Sequence, residues 1–449
     1  MGLFTRGITL PRGELTDTEL IEAPLPGKVT LPVKQHLGAP ATPTVSIGEA
    51  VTVGQVIATS GGNSGIPIHA TISGKVLSIE EGETFTGAVV PAITIEGDGE
   101  DTWGAFPEQS TAADTLSPSE LVERIDEAGL ITRGITPTPL KGDLVPLDQP
   151  KTHLTTDGRR VVQRLDTLVI TALDPEPALA VNRFRAHTEQ PALPVGITAL
   201  RSITGAEKTI FVVDKGLGPF PQLETLVRAD EEETTKLVGI PGTRYPAACA
   251  PVLIKGLTGR EIPLPYGHPR DVGVALYDLD TVISVGEALT TGRPPVDLLI
   301  TVGGGALERR GIVKARIGTP LSEVIEAVGG FSEPPAKVVV GGPMMGMAQY
   351  DLSVPLTREA VGLFALSHGE ITLTEGYREC INCGRCVTVC PVNLLPGVLS
   401  LYCAKDRFER AEQLGLFTCI ECGCCDYVCP SRRPLVHLFR HAKHQLMER

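Results

Sequence analysis

The sequence lacks three features that would each point to a particular class of protein. No apolar run reaches the roughly 18 to 20 residues of a membrane-spanning helix, and the opening MGLFTRGITLPRG has no apolar signal core. Basic residues are not in excess, because 40 Lys and Arg stand against 53 Asp and Glu, for a formal charge of -13. We therefore expect no signal peptide, no transmembrane segment and no nucleic acid partner.

The sequence does contain enough chain for several domains. Its 449 residues, of which 42% are hydrophobic, suggest about three units with buried cores. Its 49 glycines and 37 prolines indicate many turns and a front half rich in β-structure.

Two cysteine boxes near the C-terminus carry the clearest chemical signal. CINCGRCVTVCP and CIECGCCDYVCP both read C-x2-C-x2-C-x3-C-P. In this bacterial ferredoxin pattern, the fourth cysteine of each run is a ligand of the other cluster. Three thiolates on one tight turn hold three corners of a [4Fe-4S] cube, and the fourth corner faces away. The pattern predicts one cluster on Cys380, Cys383, Cys386 and Cys429, and a second on Cys419, Cys422, Cys425 and Cys390.

Zinc and disulfide bonds are the alternatives for so many cysteines. Structural zinc sites use two short cysteine pairs about 12 to 20 residues apart, whereas a third cysteine crowds each pair here. Eleven cysteines in 449 residues do not resemble a small secreted disulfide scaffold, which favours a reducing compartment. We interpret Cys403, Cys424 and Cys249 as ordinary buried thiols, with a functional thiol as the alternative for Cys249.

Helical spacing of apolar residues between the boxes indicates an α-helical cluster domain rather than a compact βαββαβ ferredoxin. This helix is predicted to begin at Pro396 and to end at Gly415. A second helix is predicted after Pro430 and carries a basic excess, Arg432, Arg433, Arg440, Lys443 and Arg449 against Glu448. That excess predicts a solvated basic helix or, as the alternative, a surface that docks on a partner or on anionic headgroups.

The front half consists of short β-like runs. VSIGEAVTVGQVIATS, with its G-x-x-V-x-x-G-Q-x-I rhythm, resembles the barrel-sandwich fold of lipoyl and biotinyl carriers. No modifiable lysine flanked by an acid or a methionine is evident, so we predict a docking or structural element rather than a swinging arm. Residues 101–116 are polar and predict a linker.

Two further units follow the linker. Ser117, Pro118 and Glu120 predict a capped helix, and TLVITAL, TIFVVD and KLVGI alternate with helix candidates as in a Rossmann-like α/β layer. Strand, strand, helix and strand then fit a β-grasp module similar to an SLBB domain, with Thr319 as the N-cap of its helix. The predicted fold class is multidomain α/β plus β: barrel-sandwich hybrid, Rossmann-like layer, β-grasp module and α-helical twin-cluster ferredoxin-like domain.

The order of these units, together with five motifs, resembles the RnfC family. The motifs are KQHLGAP, LTGREIP, RIGTP, GGPMMG and CIECGCCDYVCPSRRPLV. The resemblance implies a peripheral subunit on the cytoplasmic face of the cell membrane, in a complex that couples electron transfer between ferredoxin and NAD to ion translocation. The predicted bounds are 1–100 for the barrel sandwich, 101–116 for the linker, 117–295 for the α/β domain, 296–345 for the β-grasp module, 346–375 for a connector and 376–449 for the cluster domain.

The resemblance also implies middle domains similar to the flavin subunit of respiratory complex I, but the sequence departs from the family there. The family loop G-x-G-G-A-G-F-P-T, whose bare backbone admits phosphates, reads TRGITPTPL and keeps Gly134. N-G-A-E-C-E-P reads TALDPEP, with Glu176 kept and Asp174 as a stand-in. K-Y-P-Q-G-G-E-K reads RYPAACAP, and the asparagine of N-V-G-T becomes Asp278. We interpret Gly134, Asp174 and Glu176 as the remnant of a pocket for FMN and NADH.

These observations lead to three hypotheses of function. The first is an electron relay in which two [4Fe-4S] clusters connect a soluble donor or acceptor, ferredoxin or a flavoprotein, to membrane subunits of an Rnf-like complex. The second is the full family activity, with FMN and NADH bound by a rearranged pocket. The third is a docking or assembly subunit with structural clusters.

Overall fold

A computed structural model of the chain describes residues 6–12, 20–60, 62, 64–106, 115–133, 136–149, 152–154, 160–162, 164–371, 376 and 378–448. The strands are β1 (Ile8–Thr9), β2 (Leu20–Glu22), β3 (Lys28–Pro32), β4 (Thr42–Pro43), β5 (Ala50–Val51), β6 (Val56–Thr59), β7 (Ile68–His69), β8 (Gly74–Glu83), β9 (Val89–Gly97), β10 (Thr152–Leu154), β11 (Arg160–Val162), β12 (Thr167–Thr171), β13 (Lys208–Asp214), β14 (Thr235–Ile240), β15 (Arg244–Tyr245), β16 (Val274–Asp278), β17 (Asp297–Gly303), β18 (Gly311–Arg316), β19 (Lys337–Val340), β20 (Met347–Gln349) and β21 (Gly362–Leu366). The helices are α1 (Pro118–Glu127), α2 (Leu140–Asp143), α3 (Val181–His187), α4 (Leu193–Thr204), α5 (Pro221–Arg228), α6 (Ala250–Thr258), α7 (Leu279–Thr291), α8 (Leu321–Ala327), α9 (Arg385–Val389), α10 (Pro396–Cys403), α11 (Phe408–Gln413), α12 (Cys424–Tyr427) and α13 (Leu435–Met447).

The first unit is built from two small sheets, β3-β9-β8-β5 and β4-β6-β7. Because side chains alternate along a strand, Val29 and Leu31 of β3 and Ile93 and Ile95 of β9 all point into one core. That core continues into the β-grasp unit, where Ile300 belongs to the same cluster of buried residues. The barrel sandwich and the β-grasp unit therefore pack as one body although they are distant in sequence.

The middle unit contains a parallel sheet of order β14-β13-β12-β16, with α-helices between successive strands. The three runs predicted as strands coincide with β12, β13 and β14. The capped helix is confirmed as α1: the Ser117 amide donates to the Glu120 carboxylate at 2.8 Å, and the Glu120 amide donates to the Ser117 hydroxyl at 3.3 Å. All four strands end at the same edge of the sheet, which is where ligands of such sheets bind.

The β-grasp unit has the predicted order of strand, strand, helix and strand, as β17, β18, α8 and β19. Its sheet is larger than the sequence suggested, with order β2-β18-β17-β21-β19-β20, so it also takes strands from outside residues 296–345. The predicted N-cap is wrong. Pro320 occupies the cap of α8, and the Thr319 hydroxyl is buried without a hydrogen-bond partner among the described residues.

The cluster domain is α-helical as predicted, but the single helix expected between the boxes is two helices, α10 and α11. The break lies at Asp406, whose φ of 54° is left-handed, a conformation that aspartate tolerates better than most residues. The turn lets Phe408 and Ala411 pack in the same core as Phe439 of the last helix, α13. Tertiary packing therefore overrides the continuous helical pattern.

Candidate iron-sulfur site and the adjoining cavity

The two boxes adopt the same local backbone conformation. Asn382 and Gly384 of the first box have φ of 53° and 75°, and the equivalent Glu421 and Gly423 of the second have 55° and 73°. Two left-handed residues in each box curl the chain into a tight turn, and the short helices α9 and α12 follow at once. The sequence repeat is thus a structural repeat, with three thiols presented by each turn.

Three members of the first predicted cysteine set, Cys380, Cys386 and Cys429, lie near one another although they come from both boxes. The Sγ atoms of Cys386 and Cys380 lie 3.5 and 4.0 Å from the point that a Cβ on Gly397 would occupy. Burial raises the pKa of Cys386, and the nearby thiol of Cys429 raises it further. Cys383 is exposed on the same loop. Cys429, from the second box, is therefore a neighbour of the first box, as crossed ligation requires.

The second set shows the reciprocal arrangement. Burial raises the pKa of Cys425, with further contributions from Asp426 and from the thiols of Cys419, Cys422 and Cys390. Burial also raises the pKa of Cys390, and Cys422 is the neighbouring thiol that adds to this rise. Cys390, from the first box, therefore lies beside the second box.

The donor chemistry of both sets fits an iron-sulfur cluster. Thiolates are the ligands of such clusters, and backbone amides near the sulfurs help to set the reduction potential. Here the Leu394 amide donates to Cys390 Sγ at 3.3 Å, and the Glu421 amide donates to Cys419 Sγ at 3.4 Å. Across the described residues, no three His, Cys, Asp or Glu side chains are arranged to hold a single metal ion. In a [4Fe-4S] cluster, by contrast, each of the four cysteine ligands binds a different iron atom.

The basic C-terminal helix packs against the second box. Lys443 Nζ donates to the Cys419 carbonyl and to the Glu421 carboxylate, both at 2.7 Å. Arg440 donates to Glu421 at 2.9 Å and to the Met345 carbonyl at 2.9 Å. The prediction of a solvated basic helix is wrong for these two cations, because α13 turns this face toward the box. Glu421 and Asp426 are the acids on this side of the second cysteine set, so the two cations there are balanced by two carboxyl groups.

Tyr245 joins the α/β unit to the second box. Its hydroxyl donates to the Cys422 carbonyl at 2.6 Å, and Cys424 Sγ lies 4.0 Å from the Tyr245 carbonyl. A hydrogen bond to Cys422 and burial both raise the pKa of Cys424, so this side chain stays a neutral thiol. Cys249, Cys403 and Cys424 are all buried, as predicted.

A cavity of about 500 Å³, its open mouth included, lies at the carboxyl edge of the parallel sheet. Residues after β12, β13 and β14 line it, among them Asp174, Glu176 and Tyr245. The structure therefore brings together two of the three predicted pocket residues, whereas Gly134 lies outside the described residues. Since Tyr245 also contacts Cys422, one aromatic ring separates the cavity from the second box.

An ion pair occupies part of this cavity. Arg12 donates two hydrogen bonds of 2.8 Å to Asp214, the last residue of β13. Burial alone would raise the pKa of Asp214, but the hydrogen bonds from Arg12 and from backbone amides lower it. The Cβ that Gly216 lacks would lie 2.1 Å from Arg12 Nη2, so a larger residue here would displace the end of the Arg12 side chain. Sequence reasoning missed this pair because Arg12 and Asp214 are 202 residues apart.

Glu176 is held by the GGPMMG turn of the β-grasp unit. Its carboxylate accepts hydrogen bonds from the amides of Met344 and Met345 at 2.7 and 2.9 Å. A Cβ on Gly342 would lie 2.2 Å from the Glu176 carboxyl carbon, so this turn accepts only glycine there. Burial raises the pKa of Glu176 to about 7 although both amides oppose the rise. The carboxylate of this cavity-lining residue is therefore already hydrogen-bonded by the protein itself.

Replacing Glu176 by glutamine should change the pH dependence of stability. Because its folded pKa is near 7, above the ordinary value near 4.5, the folded state binds more protons between these values and stability falls as pH rises. We expect Glu176→Gln to match the wild type at pH 5 and to gain about 1 to 3 kcal/mol, or several degrees in Tm, at pH 8. Thermal unfolding at both pH values measures this. The exposed Glu308→Gln is the control, and a pH-independent difference for Glu176→Gln would refute the assignment.

A second group of carboxylates surrounds the N-terminus of α7, where phosphate groups commonly bind. The Asp278 carboxylate already caps this helix by accepting from the Thr281 amide at 2.8 Å. Burial raises the pKa of Asp278 to about 6. Asp280 follows in the first turn and pairs with Arg133 and Arg185.

These residues do not fit the phosphate of FMN. Carboxylates occupy the helix terminus, and the nearest arginines are paired with them. Burial also raises the pKa of Asp174, to about 6, so above that pH its carboxylate is charged and would repel an anion bound nearby. The replacement of a family asparagine by Asp278 is therefore part of a wider acidic arrangement.

Comparison with known domain families places three of the predicted units. Residues 3–100 match the RnfC barrel sandwich hybrid domain, residues 299–348 the SLBB domain and residues 378–432 the 4Fe-4S dicluster domain. Within the described residues, no helix has the length and apolar character needed to cross a membrane.

Several curated proteins are similar over nearly the whole chain. One component of a proton-translocating ferredoxin:NAD(+) oxidoreductase complex from Clostridium ljungdahlii is 34% identical, over 94% of this chain and 88% of that protein. The corresponding component of a Na(+)-translocating ferredoxin:NAD(+) oxidoreductase complex from Acetobacterium woodii is 31% identical, over 99% and 97%. Among solved structures, an NAD+-reducing [NiFe]-hydrogenase aligns with 76% of this chain and 66% of its own, at 17% identity and a TM-score of 0.47.

Proposed function

The chain belongs to the RnfC family, and we propose that it relays single electrons within a membrane-associated oxidoreductase complex. The relay would connect a soluble carrier, ferredoxin or a flavoprotein, with membrane subunits, in a complex that translocates ions. The chain would lie on the cytoplasmic face as a peripheral subunit. The names of its relatives, which describe ferredoxin:NAD(+) oxidoreductases that move protons or Na(+), support this assignment.

The observation that carries the proposal is the crossed proximity of the two cysteine sets. We propose that each set of four combines both boxes, and the packing of Cys386, Cys390, Cys425 and Cys429 in one hydrophobic cluster supports this. Bound there, two [4Fe-4S] clusters would supply one-electron chemistry close to each other. The chain itself supplies eight thiolates, amide donors at the sulfurs and the cations of α13, and it shields the second set from water.

The second candidate function is oxidation of NADH through bound FMN. The cavity at the carboxyl edge of the parallel sheet favours it, because that edge is the usual ligand site and lies next to Tyr245. The Arg12–Asp214 pair and the carboxylates of Asp278 and Asp280 argue against it. We therefore propose that electrons are exchanged with another protein rather than with NADH.

Anaerobic reconstitution tests the relay. Protein loaded with iron and sulfide should contain about eight of each per chain, as expected for two cubes. Electron paramagnetic resonance should show two reducible centres, and reduced ferredoxin should reduce both. Clusters that dithionite cannot reduce would favour a structural role and would contradict the relay.

A further inference from the structure

We propose that the surface around the first cysteine set is the docking site of an acidic one-electron carrier protein, and we call this surface the cluster rim. The inference rests on the proposed function, because it presupposes that this set holds a reducible cluster. Beyond the relay itself, we infer which of the two cysteine sets faces the carrier and which side chains bind the carrier. The rim consists of exposed apolar and cationic side chains, Ile381, Leu395, Val398, Leu401, Arg378, Arg385 and Arg432.

The apolar part of the rim is unusually exposed for side chains of this type. Ile381 is 66% exposed, Leu395 51%, and Val398 and Leu401 41% each. Val398 and Leu401 lie one turn apart on α10, so they share one side of that helix. Exposed apolar groups ringed by charge are the usual layout of a protein interface.

Gly397 brings the surface of α10 close to the first cysteine set. A Cβ at this position would lie only 3.5 Å from Cys386 Sγ and 4.0 Å from Cys380 Sγ. Because Gly397 has no side chain, the backbone of α10 lies directly against these sulfurs, and a protein docked on the exposed side of α10 is one helix away from them. Cys383 is exposed on the neighbouring loop. Short distance favours electron transfer between proteins, so this is where a carrier gains most from docking.

The charge of the rim identifies the chemistry of the carrier. Arg378, Arg385 and Arg432 are exposed and lie within three residues of a cysteine of the first set, with Glu379 as the neighbouring acid. The Arg432 amide donates to the Cys429 carbonyl at 3.0 Å, which fixes this residue beside the set. Residues 376–449 hold ten Lys and Arg against seven Asp and Glu, whereas the whole chain holds 40 against 53. A cationic patch on an acidic protein steers an acidic partner to this site.

The second cysteine set is unsuited to the same role because the rest of the chain covers it. Cys422 and Cys425 are buried, Tyr245 packs over Cys422, and Lys443 of α13 closes over Cys419. The first set is therefore the outward end. In the step itself, one electron leaves the reduced carrier and enters this chain, and no bond is formed or broken.

The test uses the full chain with both clusters and a small acidic [4Fe-4S] ferredoxin as the probe. Val398→Asp places a negative charge in the apolar centre of the rim, and the triple variant R378Q/R385Q/R432Q removes its cations. Ile47→Asp is the matched control, since Ile47 is 66% exposed on the first unit. Both rim variants should weaken binding of oxidised ferredoxin, and slow the second-order rate of reduction by reduced ferredoxin, by roughly tenfold or more at low salt. I47D should leave both unchanged.

Iron content and direct reduction by dithionite separate this inference from the proposed function. If dithionite reduces the clusters of every protein but V398D and the triple variant bind and react like the wild type, the docking site is refuted while the relay stands. If dithionite fails even with the wild type, the relay fails too, and the inference falls with it. A wild-type dimer that V398D dissociates would show that a second copy covers the rim, which also overturns the inference.

Discussion

Replacing Cys429 by alanine is expected to remove one of the two clusters and to leave the same residual cluster as Cys380→Ala. Cys429 belongs to the second box in sequence, but it neighbours Cys386 of the first box in space. Loss of one ligand should therefore empty the first set, and iron should fall from about eight to about four atoms per chain. Iron analysis and electron paramagnetic resonance of the dithionite-reduced protein measure both effects.

The reciprocal variant and a control make this result specific. Cys390→Ala should leave the residual spectrum of Cys422→Ala, because Cys390 lies beside the second box. Cys403→Ala, which removes a buried thiol outside both sets, should keep the full iron content. If the spectrum of Cys429→Ala instead matched that of Cys422→Ala, each box would hold its own cluster and the crossed arrangement would be wrong.

Replacing Lys443 by glutamine is expected to lower the midpoint potential of the cluster held by the second set. Lys443 donates to the Cys419 carbonyl at 2.7 Å and is largely buried. A positive charge favours the reduced cluster, which carries one more negative charge. The nearby cations are Lys443 and Arg440 and the nearby acids are Glu421 and Asp426, so the substitution leaves the acids in excess beside the cluster. The expected loss of about 1 kcal/mol corresponds to a fall of roughly 40 mV for one electron.

An anaerobic redox titration followed by electron paramagnetic resonance measures this shift. The potential of the other cluster should change less, because Lys443 contacts only the second box. Lys405→Gln is the control, since Lys405 is exposed between α10 and α11. An unchanged or raised potential in Lys443→Gln would contradict the assigned role of α13.

The elements that sequence predicted best are those fixed by local chemistry. The spacing of the cysteines predicted that the two boxes meet, and the structure packs Cys390 and Cys429 in one cluster, while crossed ligation itself stays a prediction. Ser117 and Glu120 predicted the start of α1, since a capping box involves only residues three apart. The β-grasp order followed from strand and helix periodicity in one continuous stretch.

The features that sequence did not predict depend on contacts between distant segments. The hydroxyl of Tyr245 meets Cys422, 177 residues later, and no local pattern marks that contact. Strand β2 joins the β-grasp sheet from the start of the chain. Aspartate is a weak helix former, so the sequence carries some indication of the break at Asp406. The core contacts of Phe408 that stabilise the break are tertiary and have no local sequence signal.

In the altered pocket, the sequence predicted some of the lining residues but not the contacts that they make. Sequence comparison with the family identified Asp174, Glu176 and Asp278 as departures or remnants, and the structure places all three near the carboxyl edge of one sheet. Sequence comparison did not reveal that the backbone amides of Met344 and Met345 bind the Glu176 carboxylate. Nor did it reveal the ion pair in the cavity. The type of a residue shows which hydrogen bonds and ion pairs it can form, but it does not show which distant residue will be the partner.

Electrons are expected to reach this chain from another protein and not from NADH. The most direct test is to reconstitute it anaerobically with iron, sulfide and FMN, remove unbound flavin, add NADH and follow the visible absorbance of the clusters. We expect no retained flavin and no bleaching by NADH, while reduced ferredoxin or dithionite still bleaches the clusters. About one flavin retained per chain, with bleaching by NADH alone, would contradict this expectation and establish NADH oxidation by this protein.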